Sequence, residues 1–292
     1  MKTSREKTAP RRKRKVPPGA LVLLVWTFCF VVLPLGYVLL ISFMERGTSG
    51  GVVYRFTMAN YLRMLDPVYA GIFGRSFALA LLTTALTLAL GYPFAYAMAR
   101  LPEKWRGRVT LLVMAPFWTN SLIRLYGWTT LLGADGWINK ALLALGLIDT
   151  PVKLLYTFGA VVVGLVYALL PIMILAVYNS TEKLDWSQIE AARDLGAGRL
   201  YAFITVTLPQ CRPGILAGCV LVLVPSMGLF FISDLLGGSK TMLLGNLIQN
   251  EMQAARNWPF GAALSVVMLL LAVGVIFLYR KSGDENGWGA ML

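Results

Sequence analysis

Residues 182–209 read EKLDWSQIEAARDLGAGRLYAFITVTLP, a polar island between apolar runs at 156–178 and 214–233. Asp185, with Gln188 three positions on, marks a helix start: the carboxylate accepts from first-turn backbone N–H groups and the amide reaches back. Trp186, Ile189, Ala192 and Leu195 then recur near helical spacing as a short apolar stripe. Gly196 and Gly198 stop or bend that helix, because glycine enters left-handed geometry without a Cβ clash. A second helical run, Leu200 to Thr207, is expected to end at Pro209. The stretch therefore predicts a helix–turn–helix of small and charged residues at a membrane face, a socket for another protein.

The membrane follows from what surrounds this island. The chain has 292 residues, 57% hydrophobic and 14% charged, with mean hydropathy +0.66, which excludes an ordinary soluble domain. Six apolar runs, about 20–43, 73–99, 109–132, 156–180, 212–234 and 260–280, are each near the ~20 residues that cross a hydrocarbon core. Each must pair its own backbone in lipid, so helices are predicted and the class is an all-α polytopic membrane protein with six transmembrane helices. Pro34, Pro93, Pro116, Pro171 and Pro225 fall inside these runs and suit a bundle with internal polar faces. The chain has no histidine, which excludes imidazole catalysis and His-ligated metal. Cys29, Cys211 and Cys219 have neither disulfide nor metal spacing. No G-x-x-x-x-G-K-[ST] occurs, so ATP driving this protein must be bound by another chain.

Charge sets the orientation. The first eighteen residues carry eight Lys and Arg against Glu6, which reads as a cytoplasmic retention charge beside lipid in preference to a nucleic-acid site. Arg11-Arg12 resembles a twin-arginine export signal, but a long apolar run follows without a small-residue cleavage site, so an uncleaved first helix is expected. With the N-terminus inside, eighteen of the 27 Lys and Arg fall on the cytoplasmic side and eight outside, predicting both termini and the 182–209 loop in the cytoplasm. The domains are then a basic tail at 1–19, a six-helix unit at 20–280 and a cytoplasmic tail at 281–292. The outer segments are a long polar stretch at 44–72 and two short helices with turns within 133–155 and 235–259, broken at Asp135-Gly136, Gly237-Gly238 and Trp258-Pro259.

Polar residues concentrate in the third run: Trp118, Thr119, Asn120, Ser121, Arg124, Tyr126 and Trp128. Intramembrane charge is expensive and faces protein or water, so Arg124 reads either as a paired or snorkelling structural residue or as pore lining. The aromatics read either as an interfacial belt or as faces that attract an amine in transit. Asp234, at the outer end of the fifth run in FISDLLGG, is either a carboxylate that receives an entering cation or a helix-end residue in water.

Two resemblances add to this reading. Glu190, Ala191, Ala192, Gly196, Leu208 and Pro209 resemble the EAA loop of ABC-transporter permease subunits, EAA-x3-G-x9-I-x-LP, with Val206 where that family usually carries Ile. The resemblance implies a cytoplasmic loop whose short helix docks into a cleft of an ATPase subunit. Glu190 and Asp194 would then offer charge, Ala191 and Ala192 close approach, and Gly196 the turn. FWTNSLIRLYGW (117–128), LIDTPVKLLYT (147–157), GLVYALLPIMILAVYNSTEKLD (164–185) and GLFFISDLLGGSKTMLLGNLI (228–248) resemble permease subunits of spermidine/putrescine ABC importers. ANYLRMLDPVY (59–69) and NWPFGAA (257–263) do so as well, whereas the basic tail departs from that pattern. This implies the type I importer permease fold in the bacterial inner membrane, with a second permease subunit, an ATPase dimer holding ATP and Mg, and an extracytoplasmic binding protein. The chain itself would bind no cofactor or metal and perform no bond chemistry. Trp118, Asn120, Ser121, Tyr126 and Asp234 are the residues expected along the ligand path. A permease for another small organic ligand, a stand-alone secondary transporter or channel, and a membrane scaffold are the alternatives.

Overall fold

The computed structural model describes residues 18–283 except 49, 239 and 240; most of the expected tails at 1–19 and 281–292 lies outside the described residues. Five continuous helices are long and apolar enough to cross a membrane: α1 (Ala20–Ser42), α3 (Pro67–Ala99), α7 (Phe158–Thr181), α9 (Arg199–Gly228) and α11 (Trp258–Gly283). Between α1 and α3 the chain forms an antiparallel hairpin, β1 (Met44–Arg46) with β2 (Val52–Phe56), and a short helix α2 (Ala59–Arg63). That pairing gives the 44–72 stretch more order than its polarity suggested. Asp66 starts α3, its carboxylate accepting from Val68 N at 2.9 Å, and Thr157 starts α7 in the same way.

The centre of the bundle is α3, α7 and α9, which pack against one another; α11 packs on α9 and on the second half of α1. Small residues make the close approach that drives helix association in lipid. A Cβ added at Gly214 would stand 2.3 Å from Ser180 Oγ, and one at Gly218 would stand 2.6 Å from Met173 Sδ. Thus α9 meets α7 backbone to side chain along a G-x-x-x-G row. The hydropathic window of α7 is 56% buried against 6% for α1, so α7 is the axis and α1 presents its length to lipid or another subunit.

The third apolar run differs from a continuous span. It divides into α4 (Glu103–Met114), a 3-10 turn at Ala115–Trp118 and α5 (Ser121–Leu132). Pro116 cannot donate within the turn, Thr119 is extended, and Asn120 restarts the helix by accepting from Leu122 N at 2.8 Å. Window hydropathy registers none of these.

The fifth run also differs. No helix ends at Pro209: α9 begins at Arg199 and continues to Gly228. A wide turn at Phe203–Thr207 places Pro209 at the start of the following segment, where its missing N–H and bulky ring are tolerated. Beyond Gly228 the chain breaks at Leu229, makes a turn at Phe230–Ile232 and a wide turn at Ser233–Gly237, and reverses at Gly238 with φ 59°. Asp234 therefore lies on a re-entrant segment and not on the end of a long span. The remaining short helices, α6 (Trp137–Ala144) and α10 (Leu244–Gln249), fall within the expected connections.

Candidate functional site: a docking hairpin and a re-entrant polar segment

The island at 182–209 forms α8 (Trp186–Asp194) and the entry to α9. Asp185 caps α8, accepting from Ser187 N at 3.1 Å and Ser187 Oγ at 2.6 Å; Gln188 reaches its carboxylate at 3.3 Å and not the backbone. The Ser187 hydroxyl and then its backbone N–H hold the Asp185 carboxyl below its ordinary range, because both stabilise the anion. Gly196 closes the helix with φ +88°, its N–H donating to Arg193 O and that of Ala197 to Ala192 O, both at 3.0 Å.

The hairpin is bolted to the bundle on one side only. Trp186 packs on Tyr96 of α3 at 5.7 Å between centroids, and Phe203 of α9 meets Tyr96 and Tyr92 edge-on. The Arg100 guanidinium lies 4.6 Å over Tyr96 and 5.2 Å from the Trp186 ring. Gln210 Nε2 donates to Gln188 Oε1 at 2.9 Å, tying α8 to α9, while Leu184 and Ile189 are buried. The opposite side is open: Glu190, Ala191, Asp194 and Gly196 are exposed, and Ala192 is half-buried. Leu195, an apolar side chain at the tip, is 91% exposed. Sequence reading placed Leu195 in the apolar stripe with Trp186 and Ile189; the helix ends one residue before it, at Asp194, and its side chain is clear of the bundle.

At the other end of the bundle the re-entrant segment carries a second polar arrangement. Asn246 is buried, donates to Phe230 O at 3.1 Å and to the Asp234 carboxylate, and accepts from Leu243 N at 3.3 Å. Ser233 Oγ donates to Thr241 O at 2.6 Å, and Leu244 N donates to Ser76 Oγ of α3 at 2.8 Å. Asp234 is thus held from behind while remaining exposed. The segment rests on α7 at Gly164, where an added Cβ would meet Leu236 at 2.3 Å, Ile232 at 2.9 Å and Leu125 of α5 at 3.7 Å. Asn246 and Gly164 were not singled out from sequence; an asparagine inside the apolar LLGNLI was the signal for the first.

The other expected path residues sit on the broken third element, which packs on this segment. Trp118 is 75% exposed, and Asn120, Ser121 and Tyr126 are also exposed. The structure brings Trp118, Asn120 and Ser121 together at the break, with Tyr126 further along α5; the Asn120 carbonyl is spent on the cap, leaving its NH2 for other contacts. Arg124 is half-buried, its guanidinium 5.7 Å from the Tyr167 ring and 6.0 Å from Phe117, with Nε enclosed and unpaired. Among the described residues no carboxylate lies within ion-pair distance of it. Its contacts here are these aromatic faces, without a paired anion among the described residues.

Among the described residues, five helices long and apolar enough to cross a membrane, a broken third run and a hairpin packed on the bundle make a polytopic membrane protein. Residues 91–282 match the family of binding-protein-dependent transport system inner membrane components, and the chain belongs to that family. It is 46% identical over 257 residues to the spermidine/putrescine transport system permease protein PotB of Escherichia coli (strain K12), covering 88% of this chain and 94% of that one. It is 44% identical over 261 residues to PotB of Haemophilus influenzae, covering 89% and 91%. Its fold is that of a bacterial alginate ABC transporter solved with its periplasmic protein, at TM-score 0.72 and 16% identity, covering 90% of this chain and 91% of that one. The protein is a multi-pass inner-membrane permease subunit of an ABC importer; ATP hydrolysis belongs to a separate subunit and delivery to a binding protein.

Proposed function

We propose that this chain is a permease subunit of an ATP-driven importer of polyamines, spermidine or putrescine, and that the hairpin at 182–209 transmits the ATPase cycle to the spans. One observation carries the mechanical part: the hairpin is fixed to α3 and α9 through Trp186, Arg100 and Gln188–Gln210 while its Glu190–Gly196 face is free. A push on that face cannot be absorbed within the hairpin and moves two spans together. Glu190 and Asp194 supply charge to the ATPase, Ala191 and Ala192 allow close approach, and Gly196 sets the turn. The two states are inward- and outward-facing, and each ligand acts by preferring one.

The substrate reading rests on the PotB relatives and on a path suited to an extended polycation. Asp234 offers a carboxylate, Trp118 and Tyr126 offer aromatic faces, and Asn120 and Ser121 offer polar contacts. The assembly comprises this chain, a PotC-like second permease, a PotA-like ATPase dimer that holds ATP and Mg, and a PotD-like extracytoplasmic binding protein. This chain holds no cofactor of its own. Both termini and the hairpin face the cytoplasm, as the Lys and Arg distribution indicates.

The test is uptake of labelled spermidine by the complete transporter in liposomes, with putrescine and unrelated amino acids as competitors. Competition by putrescine alone supports the reading, and competition by an amino acid assigns the path to another small organic ligand. Asp234→Asn should weaken spermidine uptake several-fold through KM, and Gly196→Asp should uncouple ATP hydrolysis from uptake while the complex stays in the membrane.

A further inference from the structure

At the hairpin end a cavity of about 380 Å³ opens between the last turn of α3, the inner row of α8 and the first turns of α9. Tyr96, Arg100, Ile189, Arg193, Arg199 and Phe203 lie on its walls: three guanidinium groups, with no carboxylate among the lining residues. Arg100 is held in place by its stacking on Tyr96 and Trp186 and by donation from Nη2 to Tyr96 Oη at 2.8 Å, so its charge is positioned but not neutralised. Arg193 and Arg199 are exposed, and neither has a carboxylate within ion-pair distance among the described residues. Three like charges around one concavity repel each other, and an anion inside relieves that repulsion.

Depth says where the anion comes from. The 30 residues of α9 span about 45 Å and the 33 residues of α3 about 50 Å, against a hydrocarbon core of about 30 Å. Arg199 opens one of these helices and Arg100 caps the other, at ends that reach beyond the hydrocarbon core when each helix is centred on it. Beside the cavity-lining row Arg199–Phe203–Thr207, the next row of α9, Leu200, Ile204 and Leu208, is exposed and apolar. The row of α8 proposed to meet the ATPase is a different one: Glu190 and Asp194 border a second cavity of about 450 Å³ with Gly196 and Gly198, and Arg193 and Arg199 stand between the two cavities. We propose that Arg100, Arg193 and Arg199 bind the phosphate of an anionic phospholipid of the cytoplasmic leaflet, with its acyl chains along Leu200, Ile204 and Leu208. A headgroup there joins α3, α8 and α9 at the joint through which the hairpin moves the spans. The site is independent of which ligand the importer carries.

The test uses the complete transporter, purified in mild detergent, with retained lipid counted by native mass spectrometry. Wild type should retain phosphatidylglycerol in preference to phosphatidylcholine, and millimolar inorganic phosphate should leave it in place. Each arginine removed should weaken retention roughly 5-fold, and the Arg193→Gln/Arg199→Gln double variant about 30-fold, as expected of basic side chains at an anionic leaflet. Arg199→Lys should keep most of the binding. If the double variant fails to assemble, the single Gln variants carry the same comparison. Equal retention of both lipids, or retention unchanged by the variants, overturns the proposal. So does displacement by inorganic phosphate, which would mark a site for free phosphate. Loss of the ATPase subunit with lipid retention intact also overturns it, by assigning the arginines to a protein contact.

Discussion

Gly196 separates the geometry of the hairpin turn from its contacts. Its φ of +88° lies in the left-handed region, and a Cβ added there meets nothing within 4 Å, so substitution costs backbone strain alone. For alanine that strain is about 1–2 kcal/mol, and asparagine, which visits this region more readily, pays less. A cost of that size lowers the population of the closed turn by roughly 5–30-fold relative to frayed alternatives, too little to unfold a helical bundle. What frays is the pair of bonds from Gly196 and Ala197 N–H to Arg193 and Ala192 O, which orient the exposed Glu190–Asp194 face. In proteoliposomes holding the complete transporter, Gly196→Ala should lower uptake and raise the ATP hydrolysed per ligand imported, with the amount of protein in the membrane unchanged. Gly196→Asn should fall between Ala and wild type. If Ala and Asn both couple as well as wild type, the turn does not transmit force. If Asn is as damaging as Ala, side-chain volume at the ATPase contact is the cause, and the strain argument fails.

Gly164→Val should displace the re-entrant segment, because the nearest atoms, of Leu236 and Ile232, lie 2.3 and 2.9 Å from the added Cβ; uptake should collapse while the ATPase subunit still co-purifies. Asn246→Leu removes the donor that holds Asp234 and leaves Leu243 N unpaired, a local cost of about 1–3 kcal/mol for a buried group, while Phe230 O keeps the Ser233 N–H. Hydrogen exchange should then rise selectively across 230–246. Asp185 has a depressed carboxyl pKa, so its capping contribution is complete above the unfolded value near 4 and is lost as pH falls through the lower folded value. Protection of the α8 amides should follow that sign, and Asp185→Asn, which still caps, should flatten the pH dependence. Arg124→Gln should change the apparent affinity for spermidine by no more than about twofold; a tenfold gain would put the guanidinium on the path.

The hairpin was legible because its signals are local. A capping carboxylate and a left-handed glycine act within five residues, and both hold here at Asp185 and Gly196. The breaks at Gly136, Gly238 and Trp258 were readable for the same reason. What escaped depends on backbone choices that window hydropathy averages away. The division at Thr119–Asn120 needs a cap and a proline turn inside a run that is apolar only on average, and the continuity of α9 past Pro209 needs a wide turn that costs no hydropathy. Asn246 and Gly164 escaped because their partners are distant in sequence: Asn246 holds residues 12 and 16 positions away, and Gly164 matters only because Leu236 is seated on it.

The broken third element also separates two residues two positions apart. Arg124 and Tyr126 differ by about 200° around α5, so one surface cannot display both. Leu125 is buried and Trp128 packs on Tyr167 at 5.5 Å, which turns that side of the helix, with Arg124, toward α7. Ile123 and Tyr126, 72% and 58% exposed, occupy the other side. If a polycation passes Tyr126, it would meet the Arg124 charge across a helix about 10 Å thick, where a fully hydrated path would reduce repulsion to about 0.4 kcal/mol, or twofold in affinity. An intramembrane arginine is then compatible with a cationic ligand. The Arg124 guanidinium lies against the Tyr167 and Phe117 faces, and on the proposed path Asp234, on the segment α5 packs against, would set the sign of the field that the ligand meets.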